Sequence, residues 1–86
     1  MKFSDQAAAA LKALHPGVRK DIRRALDDVD AGKKRDVRAL ARELSGFQRL
    51  RVGKYRVLFR RDETGELVAE YLAPRDTVYQ SFTPKR

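Results

Sequence analysis

The chain has no cysteine and no tryptophan, a single histidine, a single methionine and three prolines among its 86 residues. Without cysteine, neither disulfides nor thiolate metal sites can brace the fold. One histidine leaves a structural zinc site without enough side-chain ligands, so no metal is expected. No apolar run approaches a transmembrane span. The start, "MKFSDQAAAA", carries an aspartate where a signal peptide would have its apolar region, so a cytoplasmic protein is expected. At this length the chain reads as a single domain over residues 1–86 with a modest apolar core and a frayed tail at about 83–86.

What the chain does have is positive charge, with a formal net value of +8. The charge is unevenly placed. From Lys33 to Arg61 eleven basic residues stand against Asp36 and Glu43, whereas the rest of the chain is close to neutral. A concentrated excess of this kind favours a polyanionic partner such as nucleic acid or an acidic protein.

Apolar spacing sorts the chain into elements. "MKFS" reads as a short strand with Phe3 turned inward, and Ser4 or Asp5 can cap the helix that follows. Ala7, Ala10, Leu11 and Leu14 line one side of that helix. Pro16 then breaks the run and can open a second helix, since the first turn needs no amide hydrogen there. Val18, Ile22, Ala25, Leu26 and Val29 recur at spacings of three and four, and Gly32 is a stop. "KKRDVRALARELSG" fits either a helix through Val37, Leu40 and Leu44, with Asp36 as cap, or an irregular connector pinned by those residues. His15, the only conventional base near neutral pH, falls at the corner between the helices and reads as structural or solvent-exposed.

After Gly46 the period changes to two. "QRLRV", Gly53-Lys54 and "YRVLFR" form a hairpin signal with glycine first in a two-residue turn, as a type II′ turn prefers. "DETG" makes the next turn, "ELVAEYLA" a further strand, and "DTVYQSF" a short final strand or helical turn. The two-residue turn sets Val52 opposite Tyr55, Arg51 opposite Arg56, Leu50 opposite Val57, Arg49 opposite Leu58 and Phe47 opposite Arg60. Alternation sends Leu50, Val52, Tyr55, Val57 and Phe59 toward the helices. Arg49, Arg51, Arg56 and Arg60 point the other way, around Phe47 and Leu58. Arg51 directly across from Arg56 is a local repulsion that an anionic partner would relieve, and guanidinium groups present paired donors to phosphate oxygens. Lys54 in the turn, Arg75 beyond Pro74, and Tyr79 can join this surface. Parity alone leaves open which face Glu70 occupies.

The order strand, two helices, charged antiparallel sheet resembles the RelE/ParE superfamily of toxin–antitoxin toxins. "GFQRLRVGKYRVLFR" is similar to that family's segment joining its second and third strands, and "YLAPRDTVY" to its closing segment. The resemblance implies an α+β fold of two layers, an N-terminal strand and helical hairpin packed on a mainly antiparallel sheet. The RelE-like branch cuts messenger RNA in the ribosomal A site, and the ParE-like branch inhibits DNA gyrase. An inactive member that only binds an antitoxin is a third possibility.

Carried onto this chain, the resemblance implies catalytic roles for Arg56, Arg75 and Tyr79. Arg49 and Arg51 match basic positions of the family and would bind substrate; Arg60, on the same face but without a match in the family's pattern, and Lys54 in the turn are expected to bind it as well. The resemblance further implies a metal-independent endoribonuclease without cofactor, in which a ribose 2′-hydroxyl attacks the adjacent phosphate to give a 2′,3′-cyclic phosphate. The partners it implies are a cognate antitoxin, the ribosome and messenger RNA, or alternatively gyrase. Many relatives carry histidine shortly before the late arginine, where this chain has "AP", and lysines where it has Arg49 and Arg51. Arginine neutralises phosphate well but is a poor general base, so the base is left unassigned.

Overall fold

The structure, a computed structural model, describes residues 1–75 and Phe82. The expected closing segment, with Tyr79, and the expected frayed tail at 83–86 lie outside the described residues. In chain order the elements are β1 (Lys2–Phe3), α1 (Asp5–Ala13), α2 (Pro16–Asp30), β2 (Val37–Ala39), a 3₁₀ turn (Arg42–Leu44), β3 (Gln48–Val52), β4 (Tyr55–Arg61) and β5 (Leu67–Pro74). They form a five-stranded sheet in the order β1-β5-β4-β3-β2, parallel at β1–β5 and antiparallel elsewhere. Among the described residues no helix is long and apolar enough to cross a membrane.

Each helix begins on a side-chain cap. The Ser4 hydroxyl accepts from the Ala7 amide at 3.1 Å and donates to the Glu70 carbonyl at 2.5 Å, tying the start of α1 to β5. Pro16 opens α2, and His15 Nδ1 accepts from the Gly17 amide at 3.2 Å. His15 is therefore a helix cap. The charges of α2 run against its dipole, with Arg19, Lys20, Arg23 and Arg24 outnumbering Asp21 in the first nine residues and Asp27, Asp28 and Asp30 near the end. Cations from elsewhere offset the acidic end: Arg35 lies 2.8 Å from Asp28 and Arg61 2.8 Å from Asp30.

The core sits between helices and sheet as the apolar periods require. Ala7, Leu11, Ile22, Ala25 and Leu26 pack on Leu50, Val57, Phe59, Leu67, Ala69 and Leu72. In the hairpin, Gly53 has φ 57° while Lys54 does not share a positive φ, as a type II′ turn demands. The β3–β4 register runs Val52–Tyr55, Arg51–Arg56, Leu50–Val57, Arg49–Leu58, Gln48–Phe59.

Three features differ from the sequence reading. The segment open between helix and connector forms a strand: Val37–Ala39 pairs with Gln48–Leu50, followed by the 3₁₀ turn. Without it, β3 would be an edge strand with unpaired amides and carbonyls. The β3–β4 ladder begins at Gln48, one pair short of the expected pairing of Phe47 with Arg60, and the Phe47 carbonyl accepts from the Leu40 amide at 3.0 Å. The β4–β5 register slips between Leu58, opposite Tyr71, and Phe59, opposite Ala69. This bulge leaves Glu70 unpaired in the ladder and lets Ala69 and Leu72, three residues apart, both enter the core.

The sheet face away from the helices also carries apolar substance. Leu58 is 0% exposed and Val68 is buried, though neither belongs to the helix-side core. Phe82 lies edge-on to Phe47, with ring centroids 5.2 Å apart, and 5.5 Å from the Tyr71 ring.

Candidate anion-binding face

Residues paired across antiparallel strands share a face, so register alone assembles the cations. One row holds Arg38, Arg49, Leu58 and Tyr71, and the next holds Arg51, Arg56 and Ala73. Arg38 was not picked out from the sequence. Its signal is the alternation Val37-Arg38-Ala39, which the helical spacing of Val37, Leu40 and Leu44 masked.

The cations fall into two classes by their partners. At one end of the sheet, Arg60 Nε lies 2.8 Å from a Glu70 carboxylate oxygen. Glu70 thus faces the arginines, as alternation from the Arg61–Leu67 pair that closes the preceding turn requires, and the slip beside it changes the side only of Tyr71 and the residues beyond. That turn is held by Asp62, whose Oδ1 accepts from Thr64 Oγ1 at 2.6 Å and from the Thr64 and Glu66 amides. The Thr64 hydroxyl foremost, then the two amides and Lys2, hold the Asp62 carboxyl at about 2. In the middle, Arg49 lies 2.6 Å from Asp36, and Arg51 Nε is 4.0 Å from the same carboxylate.

The hairpin end is different. Arg56 curls back so that Nη1 donates to the carbonyls of Gly53 at 3.2 Å and Tyr55 at 3.1 Å. The Arg75 amide donates to the Lys54 carbonyl at 2.6 Å, which brings the late arginine to the turn, and Arg75 has φ 50°. A left-handed conformation at a non-glycine residue is uncommon and recurs at functional sites. Lys54 sits 5.5 Å from the centre of the Tyr55 ring. Among the described residues, Arg38, Lys54, Arg56 and Arg75 have no carboxylate within ion-pair distance.

Of the residues singled out from sequence, the structure therefore brings the backbone of Arg75 to the turn at Lys54, with Arg56 two residues on and Arg51 across the ladder from Arg56. Arg60 stands four residues along β4 from Arg56, about 13 Å at the usual strand rise, and is already paired. Tyr79 lies outside the described residues. The arrangement can bind an anion larger than one carboxylate, with donors spread over two strands and a turn.

The class defined by these observations is a small α+β protein with a helical hairpin on one side of its sheet and a cationic surface on the other. Solved structures give that class its fold name. A chain of the RelB–RelE antitoxin–toxin complex from Methanococcus jannaschii superposes with a TM-score of 0.73 at 19% identity, over 95% of this chain and 99% of that one. A chain of the toxin–antitoxin complex RelBE2 from Mycobacterium tuberculosis gives 0.71 at 29% identity, over 86% and 94%. A chain of the YoeB–YefM complex from Staphylococcus aureus gives 0.70 at 20%, over 83% and 90%. The fold is RelE/ParE-like. No protein-family model matches the chain, and no curated protein matches it.

Proposed function

We propose that this chain is the toxin of a toxin–antitoxin pair and that it cuts messenger RNA on the ribosome through the arginine-bearing sheet face. The observation that carries the reading is the meeting of the Lys54, Arg56 and Arg75 backbones at the hairpin, with Arg51 opposite Arg56 and no carboxylate within ion-pair distance of those three among the described residues. Support for the pairing comes from the fold shared with chains of solved antitoxin–toxin complexes.

The chemistry asked of this face is modest. The ribose 2′-oxygen bonds to the adjacent phosphorus as the bond from phosphorus to the 5′-oxygen breaks. The 2′-hydroxyl proton leaves and the departing 5′-oxygen gains one, giving a 2′,3′-cyclic phosphate and a 5′-hydroxyl. Arg56 has donors left beyond those on Nη1, and with Arg75 it can neutralise the charge that builds on the phosphate. Arg38, Arg51 and Lys54 would hold the flanking backbone in line. The partner is an antitoxin whose acidic and apolar side chains cover this surface.

Primer extension on messenger RNA in a translating extract tests the reading, with a gyrase supercoiling assay in parallel. Cleavage that needs ribosomes and stops on adding the product of the neighbouring gene is the expected result. Intact messages with inhibited supercoiling would move the assignment to gyrase.

A further inference from the structure

Asp36 occupies a position that the proposed function does not explain. Its backbone is fixed, since its carbonyl accepts from the Arg51 amide at 3.0 Å beside the β2–β3 ladder. Its carboxylate leans over the cationic face, with Oδ1 2.6 Å from Arg49 Nη2 and Oδ2 4.0 Å from Arg51 Nε. The Arg49 side chain is only 12% exposed, and its Nε is buried without a hydrogen-bond partner, whereas Asp36 and Arg51 are each 55% exposed. A buried guanidinium nitrogen left unpaired is costly. The Asp36 carboxylate therefore sits over Arg49 on its solvent side and engages only part of its donor set.

We infer that Asp36 is an internal counter-anion: it holds the seat of a phosphate on Arg49 and Arg51 and must be displaced when an anionic ligand binds. A carboxylate and a phosphate oxygen make the same charge-assisted bonds to a guanidinium, so the two compete. An isolated anion gains only the exchange. A nucleic-acid strand also gains Arg38, Lys54 and Arg56, which have no carboxylate to give up among the described residues. Asp36 thus makes the face selective for polyanions over single phosphates. The inference rests on reading this face as an anion-binding surface, and it does not depend on cleavage.

The test uses Asp36→Asn, which keeps the side-chain shape and backbone bonds, with Glu63→Gln as a control for the same change in net charge. Glu63 is exposed in the β4–β5 turn, at the opposite end of β4 from the Gly53-Lys54 hairpin. Inorganic phosphate is titrated into labelled protein while the Arg49 and Arg51 Nε–H resonances are followed. They should shift in the Asp36→Asn variant at phosphate concentrations that leave wild type and Glu63→Gln unchanged. For a short labelled single-stranded RNA, Asp36→Asn should bind roughly tenfold tighter at low salt, because no carboxylate has to be displaced from Arg49 and Arg51. Arginine resonances equally silent in all three proteins would overturn the inference. Resonances that respond while no protein binds RNA would leave Asp36 as the competitor and sink the RNA reading instead.

Discussion

Arg60 and Glu70 form a 2.8 Å ion pair across β4 and β5, diagonal to the Arg60–Val68 pair and beside the slip between Leu58 and Phe59. Both side chains are partly covered, at 37% and 23% exposure, so the pair lies between a surface bridge and a buried one. Glu70→Ala is expected to lower stability by about 1 kcal/mol, and an Arg60–Glu70 double-mutant cycle in urea should return most of that as coupling. A coupling near zero would mean that the bulge, and not the pair, fixes this end of the sheet.

Gln6 completes the ladder that β1 leaves unfinished. Beyond Phe3, the Gln6 amide nitrogen donates to the Leu72 carbonyl at 2.8 Å and its oxygen accepts from the Leu72 amide at 2.9 Å. Gln6→Ala strands two backbone groups of a buried residue and should cost about 2 kcal/mol. Gln6→Glu loses the donor while ionised, so its defect should shrink as pH falls through the carboxyl range. Equal defects at neutral and acid pH would exclude this role.

Leu58 lies on the arginine face yet is fully buried. Leu58→Ala should therefore destabilise by about 3 kcal/mol, as a core truncation does. Thermal unfolding decides it: a change of only a degree or two would mean that this face is open to water.

The arginines are not expected to be equivalent. Arg56→Ala should slow cleavage by about 10²–10³-fold with unchanged circular dichroism, the usual effect of removing a donor aimed at developing charge. Arg60→Ala, at the paired end, should act mainly on binding, and Arg38→Ala should weaken RNA binding and flatten its salt slope by about 0.7. Matching losses from Arg56→Ala and Arg60→Ala would remove the distinction between the two ends of β4.

Acid stability should depend on Asp62. Its carboxyl is lowered from 3.8 to about 2 by the Thr64 hydroxyl foremost, then by the Glu66 and Thr64 amides and Lys2. A depressed carboxyl stabilises the fold fully above its unfolded value and ceases to do so as pH falls through the folded one. The stability difference between wild type and Asp62→Asn should thus be constant above 3.8 and decline as pH drops toward about 2. Urea midpoints across that range measure it, and a difference that grew on acidification would reverse the sign.

The sequence by itself determined the two helices, the hairpin and the cation row on β3 and β4. Each depends on contacts between residues close along the chain. The spacing of Ile22, Ala25, Leu26 and Val29 requires a helix with one covered face, and Gly53-Lys54 fixes which residues of β3 and β4 stand opposite one another. Tertiary structure alone decided the rest of the site. Val37–Ala39 becomes a strand because β3 offers it unpaired backbone groups, and only that pairing brings Arg38 beside Arg49 and Asp36 over it. The slip at Glu70 follows from fitting both Ala69 and Leu72 under the helices, a demand of the core that residue parity does not contain. Arg75 reaches the hairpin because β5 runs the length of β4, and a contact between residues 54 and 75 is set by the sheet as a whole.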